Sequence, residues 1–363
     1  MAKSISQNPI QLPKHETMSL NFQKFCLKFS FTFTFLLFLQ AAFGQTDWSR
    51  IDNFLQSRQK ELGKDFVVAV WKKDDTVVYK KEMGQFNSKT QAPVSYVSQL
   101  LTTVLVLKLA EEGVISLDDR VSSYIPEFAR YGKNYITLRT CLSHTTGVSQ
   151  PEKFLNKGFR WSSSSSLEAE VNLYAKKEVR RNPTEDFWYG NMGINTAGRV
   201  LEIVSKKRFD VLAKQKLFTP LAMRRSSFTT ADGSPVEPSS SAVVTVDDYM
   251  KFVAMLLNKG QYNGQQYLSE ESVNTLMQIT AHKEIIKFTP DVMKPFNYAF
   301  GAWAIKENEN KAVAIACPGW HGAFTVVDWD KGFGYIILPK EKLSNEKTGL
   351  YLELTQEISE TMQ

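Results

Sequence analysis

Apolar residues recur at Ile51, Phe54, Leu55 and Leu62, the spacing of one helical face, and Thr46 or Asp47 stands where that helix needs a cap. Two β-rich runs, 66–71 and 76–80, flank Asp74-Asp75 and predict a hairpin. Residues 97–112 carry Leu100, Leu101, Val104, Leu105, Leu107 and Leu109, so apolar positions cover more than one face. That pattern predicts a helix buried on most sides and ended by Gly113. A helix-rich stretch runs from 137 to 280. Within it the serine run 162–166 predicts a loop before a helix starting near Leu167. Four segments near the end, 298–306, 312–317, 323–329 and 333–338, read as consecutive antiparallel strands, and 345–362 as a closing amphipathic helix.

Strands therefore sit at both ends of the chain and helices fill the middle. The ends can share one antiparallel sheet, with the terminal helices on one face and a helical lobe beside it, an α/β (α+β) architecture. No internal repeat and no long linker divides the chain, so 45–363 reads as one unit of two lobes.

Composition changes this picture little. The chain has 363 residues, 43% hydrophobic and 23% charged, enough for a large core. Of the formal charge of +6, the first 44 residues hold +3. What remains is weak and spread out, which argues against nucleic acid as a partner. No phosphate loop or dinucleotide fingerprint occurs. His144 and His282 lack the further ligands that a metal site needs, so neither a metal nor a cofactor is expected.

The N-terminus changes it more. Lys24 and Lys28 precede an apolar run, 29–39, and Ala42-Phe43-Gly44 follows with small residues at its first and third positions. This is the order of a secretory signal peptide over 1–44, with Met18 as an alternative start. The run is shorter than the ~20 residues of a membrane-spanning helix. The mature chain is expected in the periplasm or outside the cell, with no membrane span. Cys26 leaves with the signal. Cys141 and Cys317 remain, and they read as two buried free thiols, although an oxidising compartment allows a pair.

Several blocks carry chemistry. Leu109 to Phe128 reads Leu-Ala-Glu-Glu-Gly-Val-Ile-Ser-Leu-Asp-Asp-Arg-Val-Ser-Ser-Tyr-Ile-Pro-Glu-Phe, and Ile136 to Gly147 reads Ile-Thr-Leu-Arg-Thr-Cys-Leu-Ser-His-Thr-Thr-Gly. Phe187-Trp-Tyr-Gly-Asn191, Pro220-Leu-Ala-Met223, Asn258-Lys-Gly260 and His321-Gly322 follow. In this order and spacing they resemble the β-lactamase-related serine hydrolases, the group of class C β-lactamases, D-alanyl-D-alanine carboxypeptidases, penicillin-binding proteins and related esterases. The resemblance runs over 66–340. It implies a serine and a lysine three residues apart on one helix, the lysine taking the serine's proton. It also implies a Tyr-x-Asn pair, Tyr189 for proton transfer and Asn191 for substrate. The last block, His321 with Gly322 on a strand, would form the far wall, and backbone N–H groups would hold the carbonyl oxygen.

Counting back from Glu-Glu-Gly113, the nucleophile position falls on Tyr96 and the lysine position on Gln99. A phenol has a reference pKa near 10, and a carboxamide cannot act as a base. Lys108 lies twelve residues on from Tyr96, about 18 Å along the helix. Ser95 and Ser98 stand nearby, neither with a lysine three positions on. His144 reads as packing a turn and His282 as a surface residue. Two functions follow as expectations. One is an exported, catalytically impaired relative that keeps a cleft for a cell-wall peptide or a β-lactam-like molecule. The other is an active hydrolase in which Ser95 or Ser98 attacks, helped by Tyr189 or His321.

Overall fold

The computed structural model describes residues 46–73, 76–148, 164–319, 322–340 and 349–362. The segment 1–44 expected to be a signal peptide, Asp74-Asp75 and the start of the serine run lie outside the described residues. Contacts gather Trp48–Gln363 into one compact unit.

An eight-stranded antiparallel sheet organises it. Its strands are β1 (Phe66–Lys72), β2 (Thr76–Met83), β3 (Ile279–Ala281), β4 (Asn297–Ala299), β5 (Trp303–Asn308), β6 (Lys311–Pro318), β7 (Phe324–Asp328) and β8 (Phe333–Pro339). Their spatial order is β2-β1-β8-β7-β6-β5-β4-β3. The two ends of the chain meet where β1 pairs with β8, from Phe66 opposite Pro339 to Lys72 opposite Phe333.

Successive side chains of a strand point to opposite faces, and both faces here are buried. Phe66, Val68 and Val70 of β1 join Tyr335 and Ile337 of β8 in one core. That core is closed by Ile51 and Leu55 of helix α1 (Ser49–Ser57) and by Leu354 and Ile358 of the last helix, Gly349–Thr361. Val67 and Ala69 face the other way with Ile336 and Leu338, against α2 (Ser98–Glu111) and the lobe. Helix α2 is buried at every position from Ser98 to Leu107, and Gly113 ends it at φ +72°, a conformation that costs glycine little.

Four further helices matter for the site: α3 (Leu138–Leu142), α4 (Leu167–Ala175), α5 (Met192–Ser205) and α6 (Val246–Leu257); the closing helix is α7. Helix α4 starts at Leu167, as expected, and Ser166 caps it, its hydroxyl accepting the Ala169 N–H. Two expectations need correction. Helix α1 begins after Trp48, with no side-chain cap, so neither Thr46 nor Asp47 caps it. The segment 298–306 is two strands, not one. Gly301 turns between them at φ +84°, and a Cβ there would lie 2.6 Å from Thr103 Oγ1 of α2, so the close approach of the helix forces the break. Helix α7 is described from Gly349, and the expected start at 345 falls within 341–348, which lie outside the described residues. Cys141 and Cys317 are buried and unpaired. Among the described residues no helix is long and apolar enough to cross a membrane.

Candidate functional site

The chain enters α2 through a tight turn, Ser95–Val97. Ser95 sits at φ +49°, a left-handed conformation that is uncommon outside glycine and that a fold retains only when its surroundings over-determine it. This turn aims Tyr96 inward, where only 3% of it is exposed. Its ring meets Tyr189 edge-on at 5.5 Å between centroids. Burial pushes the Tyr96 hydroxyl well above the usual tyrosine range, and the nearby Glu237 carboxylate pushes it further. A phenol so placed holds its proton.

Gln99, the second residue of α2, is fully buried. Its Nε2 donates to the Gly190 carbonyl at 3.2 Å. A carbonyl can only accept, so the amide orientation is fixed and Oε1 faces His144, 3.1 Å from Nε2. That oxygen also only accepts, so His144 carries its proton on Nε2 and donates it there. The Tyr298 hydroxyl oxygen lies 3.2 Å from the same nitrogen. Burial drives the His144 pKa down to about 3, so the ring is neutral at ordinary pH. Its Nδ1 is then a bare lone pair, buried and without a partner among the described residues.

Aromatic rings enclose this network. His144 lies 5.0 Å from Tyr189 and 5.4 Å from Phe187, and Trp303 lies 4.9 Å from Tyr298. Tyr189 is buried, and burial raises its hydroxyl well above its ordinary range. The short strand Phe187–Trp188 pairs in parallel with Ile286–Phe288, and the Tyr189 N–H continues that pairing to the Phe288 carbonyl. Asn191 follows as the residue before α5. Its carbonyl accepts the Asn195 N–H, and its side chain is half-buried without capping the helix.

The structure therefore brings Tyr96, Gln99 and Tyr189 together, with Asn191 two residues beyond Tyr189. Ser98 points elsewhere: it is fully buried and its hydroxyl accepts the Ala242 N–H at 3.0 Å. The Ser95 hydroxyl makes no hydrogen bond among the described residues. His321 lies outside the described residues. Gly322 is not on a strand as expected; it lies in the turn between β6 and β7 at φ +96°, its N–H donating to Gly319 O. Gly319 fixes that turn, because a Cβ there would lie 2.4 Å from the Val94 carbonyl just ahead of Ser95. His282 is exposed, as expected. Among the described residues no group of acids, histidines and cysteines could hold a metal ion.

Sequence reasoning assigns His144 to packing a turn. It does occupy one, at φ +57°, but its ring is also the hub that receives Gln99. Glu237 and Glu170 were not singled out at all. Glu170 is buried on α4, accepting hydrogen bonds from the Tyr174 hydroxyl and from Asn195 Nδ2 at 3.4 Å. Tyr174, one turn on along α4, is a local partner of Glu170, and Ser240 of Glu237, but the burial of both glutamates comes from distant segments and leaves no local mark.

A beta-lactamase family model matches residues 52–355. The protein flp of Staphylococcus aureus is 28% identical over 142 residues, 38% of this chain and 28% of that protein. Beta-lactamase-like protein 2 of Dictyostelium discoideum is 27% identical over 202 residues, 51% of this chain and 36% of that protein. The chain thus spans about a third or less of the length of these relatives. Among solved structures, a Bacteroides dorei protein classed with the beta-lactamases superposes with a TM-score of 0.75 at 23% identity, covering 87% of this chain and 99% of that one. A penicillin-binding protein homologue from Pyrococcus abyssi gives 0.69 at 18% identity, covering 85% and 77%.

Proposed function

The chain belongs to the beta-lactamase family, and from that premise we propose that it is an exported member with impaired acyl-transfer chemistry. In this reading the site holds a cell-wall peptide or a β-lactam-like molecule, with Asn191 among the groups available to it, and does not turn it over.

The observation that carries the proposal is the state of Gln99. A serine hydrolase of this plan needs a base beside its nucleophile. Here the carboxamide at the base position is consumed by Gly190 and His144, and that histidine is too weakly basic to replace it. Tyr96 at the nucleophile position keeps its proton through burial and the charge of Glu237. The experiment is the intact mass of the mature protein after incubation with a penicillin and, separately, with a fluorophosphonate. No adduct is expected from wild type, and acylation is expected to appear in the Tyr96→Ser, Gln99→Lys double variant. Export is tested by the N-terminus of the secreted chain, expected at Gln45 after cleavage at Gly44.

A second reading, an active hydrolase with Ser95 as nucleophile, is favoured by one observation: the strained backbone and unengaged hydroxyl of Ser95 beside Tyr96. Ser98 supports it less, because its oxygen already serves Ala242. A stoichiometric adduct on Ser95, lost in Ser95→Ala, would establish this reading over the first.

A further inference from the structure

At the far end of α2 from Tyr96, about 18 Å along the helix axis, two surface clefts adjoin. One, of about 390 Å³, is lined by Lys108, Glu112, Gln215, Lys216, Gln265 and Tyr267 among others. The other, of about 550 Å³, adds Gln261, Asn263 and Asn258. Both are lined by Tyr262 and Gln266, so the hairpin Gln261–Gln266 forms the ridge between them. The first falls within the size range of small-molecule sites.

In the hairpin, Gln261 faces Gln266 and Tyr262 faces Gln265, and the turn residues Asn263 and Gly264 both have positive φ, at 49° and 73°, the geometry of a tight two-residue turn. It presents four carboxamides and one tyrosine in six residues. Gln266 is committed, its Nε2 donating to the Lys259 and Leu268 carbonyls. The side-chain amides of Gln261, Asn263 and Gln265 are exposed and make no hydrogen bond among the described residues.

The charges around the first cleft cancel locally. Lys108 pairs with Glu111 at 2.8 Å, and Lys216 with Glu112 at 2.8 Å; beside the second, Lys259 pairs with Glu270. Lys73, exposed at the second cleft, is the one lining charge without an ion pair among the described residues, and a single exposed charge contributes little to holding an anion. Each free carboxamide offers donors and an acceptor together, the pairing that neighbouring hydroxyl groups require, and Tyr262 adds a half-buried ring. Strands of only two residues leave little edge for a peptide to extend.

We propose that this double cleft binds a neutral oligosaccharide, one sugar unit or more on each side of the Tyr262 ridge. The site is separate from the Tyr96 region and stands whatever the chemistry there. The test is isothermal titration of the full mature chain with neutral tetrasaccharides of glucose, of mannose and of N-acetylglucosamine. At least one is expected to bind with a Kd of about 1 mM or tighter. Tyr262→Ala is expected to weaken that binding about tenfold, and Gln265→Ala, at an exposed position where folding is not at stake, about threefold. Tyr96→Ser should leave it unchanged, and so should 0.5 M salt, because screening acts only on net charge (the salt level is about three times physiological). Absence of binding by all three tetrasaccharides at about 10 mM overturns the proposal. So does binding that Gln265→Ala and Tyr262→Ala leave intact, or that salt abolishes.

Discussion

At Gln99 a carboxamide does what an ammonium could not: it donates to one buried group and accepts from another in the same plane. Gln99→Ala would strand the Gly190 carbonyl and leave the His144 N–H only the Tyr298 hydroxyl, 3.2 Å away; a buried polar group that loses its partner costs about 1–3 kcal/mol, and the emptied volume of the side chain adds to it. The expected destabilisation is about 2–4 kcal/mol, read from the urea midpoint; a change below about 0.5 kcal/mol would mean that the network contributes nothing to stability. Glu170 makes a prediction of opposite character. Burial raises its carboxyl above the ordinary range, against the pull of Tyr174 and Asn195. The folded state then holds the proton more tightly than the unfolded one. Stability contributed by this group is full below the unfolded pKa, near 4.3, and is lost as pH rises through the higher folded value. Glu170→Gln should lack that loss. Its melting temperature relative to wild type should rise from acid to neutral pH, and a flat difference across that window would overturn the assignment.

At the scale of elements, the segment with Tyr189 and Asn191 leads directly into α5, which packs closely against α3. A Cβ on Gly193 would lie 2.1 Å from the Cys141 carbonyl, and one on Gly198 would lie 2.2 Å from the Pro238 ring. Alanine is the better helix former by about 1 kcal/mol, yet Gly193→Ala should destabilise by about 1–3 kcal/mol because backbone must move. A stabilised variant in thermal unfolding would show that the two helices can part freely. The same contact explains what was legible in the sequence. Runs such as 66–71 and 333–338 announce strands because burial on both faces leaves few polar interruptions. The Tyr96 and Gln99 positions follow from counting along α2, a property of one helix. The role of His144 does not, since Gln99, Tyr298 and Phe187 reach it from three separate segments. Nor does the break at Gly301, whose cause is a threonine two hundred residues earlier on α2. Ser98 looked available from spacing alone, and only the strand containing Ala242 reveals that its hydroxyl is taken.

For the whole molecule, the sheet is a wall between two cores, and α1 and α7 cover one side of it. Leu354 of α7 is fully buried there, and the Tyr335 hydroxyl of β8 donates to the Tyr351 carbonyl on the same helix. Leu354→Ala should cost about 2–5 kcal/mol in global unfolding. An unchanged midpoint would mean that α7 unfolds independently of the sheet. The pairing of β1 with β8 has a consequence in time as well as in space. Phe66 finds Pro339 only after nearly the entire chain exists. Contacts that distant in sequence slow folding, because the intervening loop must close before they stabilise anything. A growing chain therefore carries β1 with one edge unsatisfied until its final strands emerge, and exposed edges of this kind recruit other chains. A polypeptide threaded through a membrane from its N-terminus would meet the same delay on the far side. Its first strand waits there for the last, and holdase binding during that interval is the step on which its yield should depend.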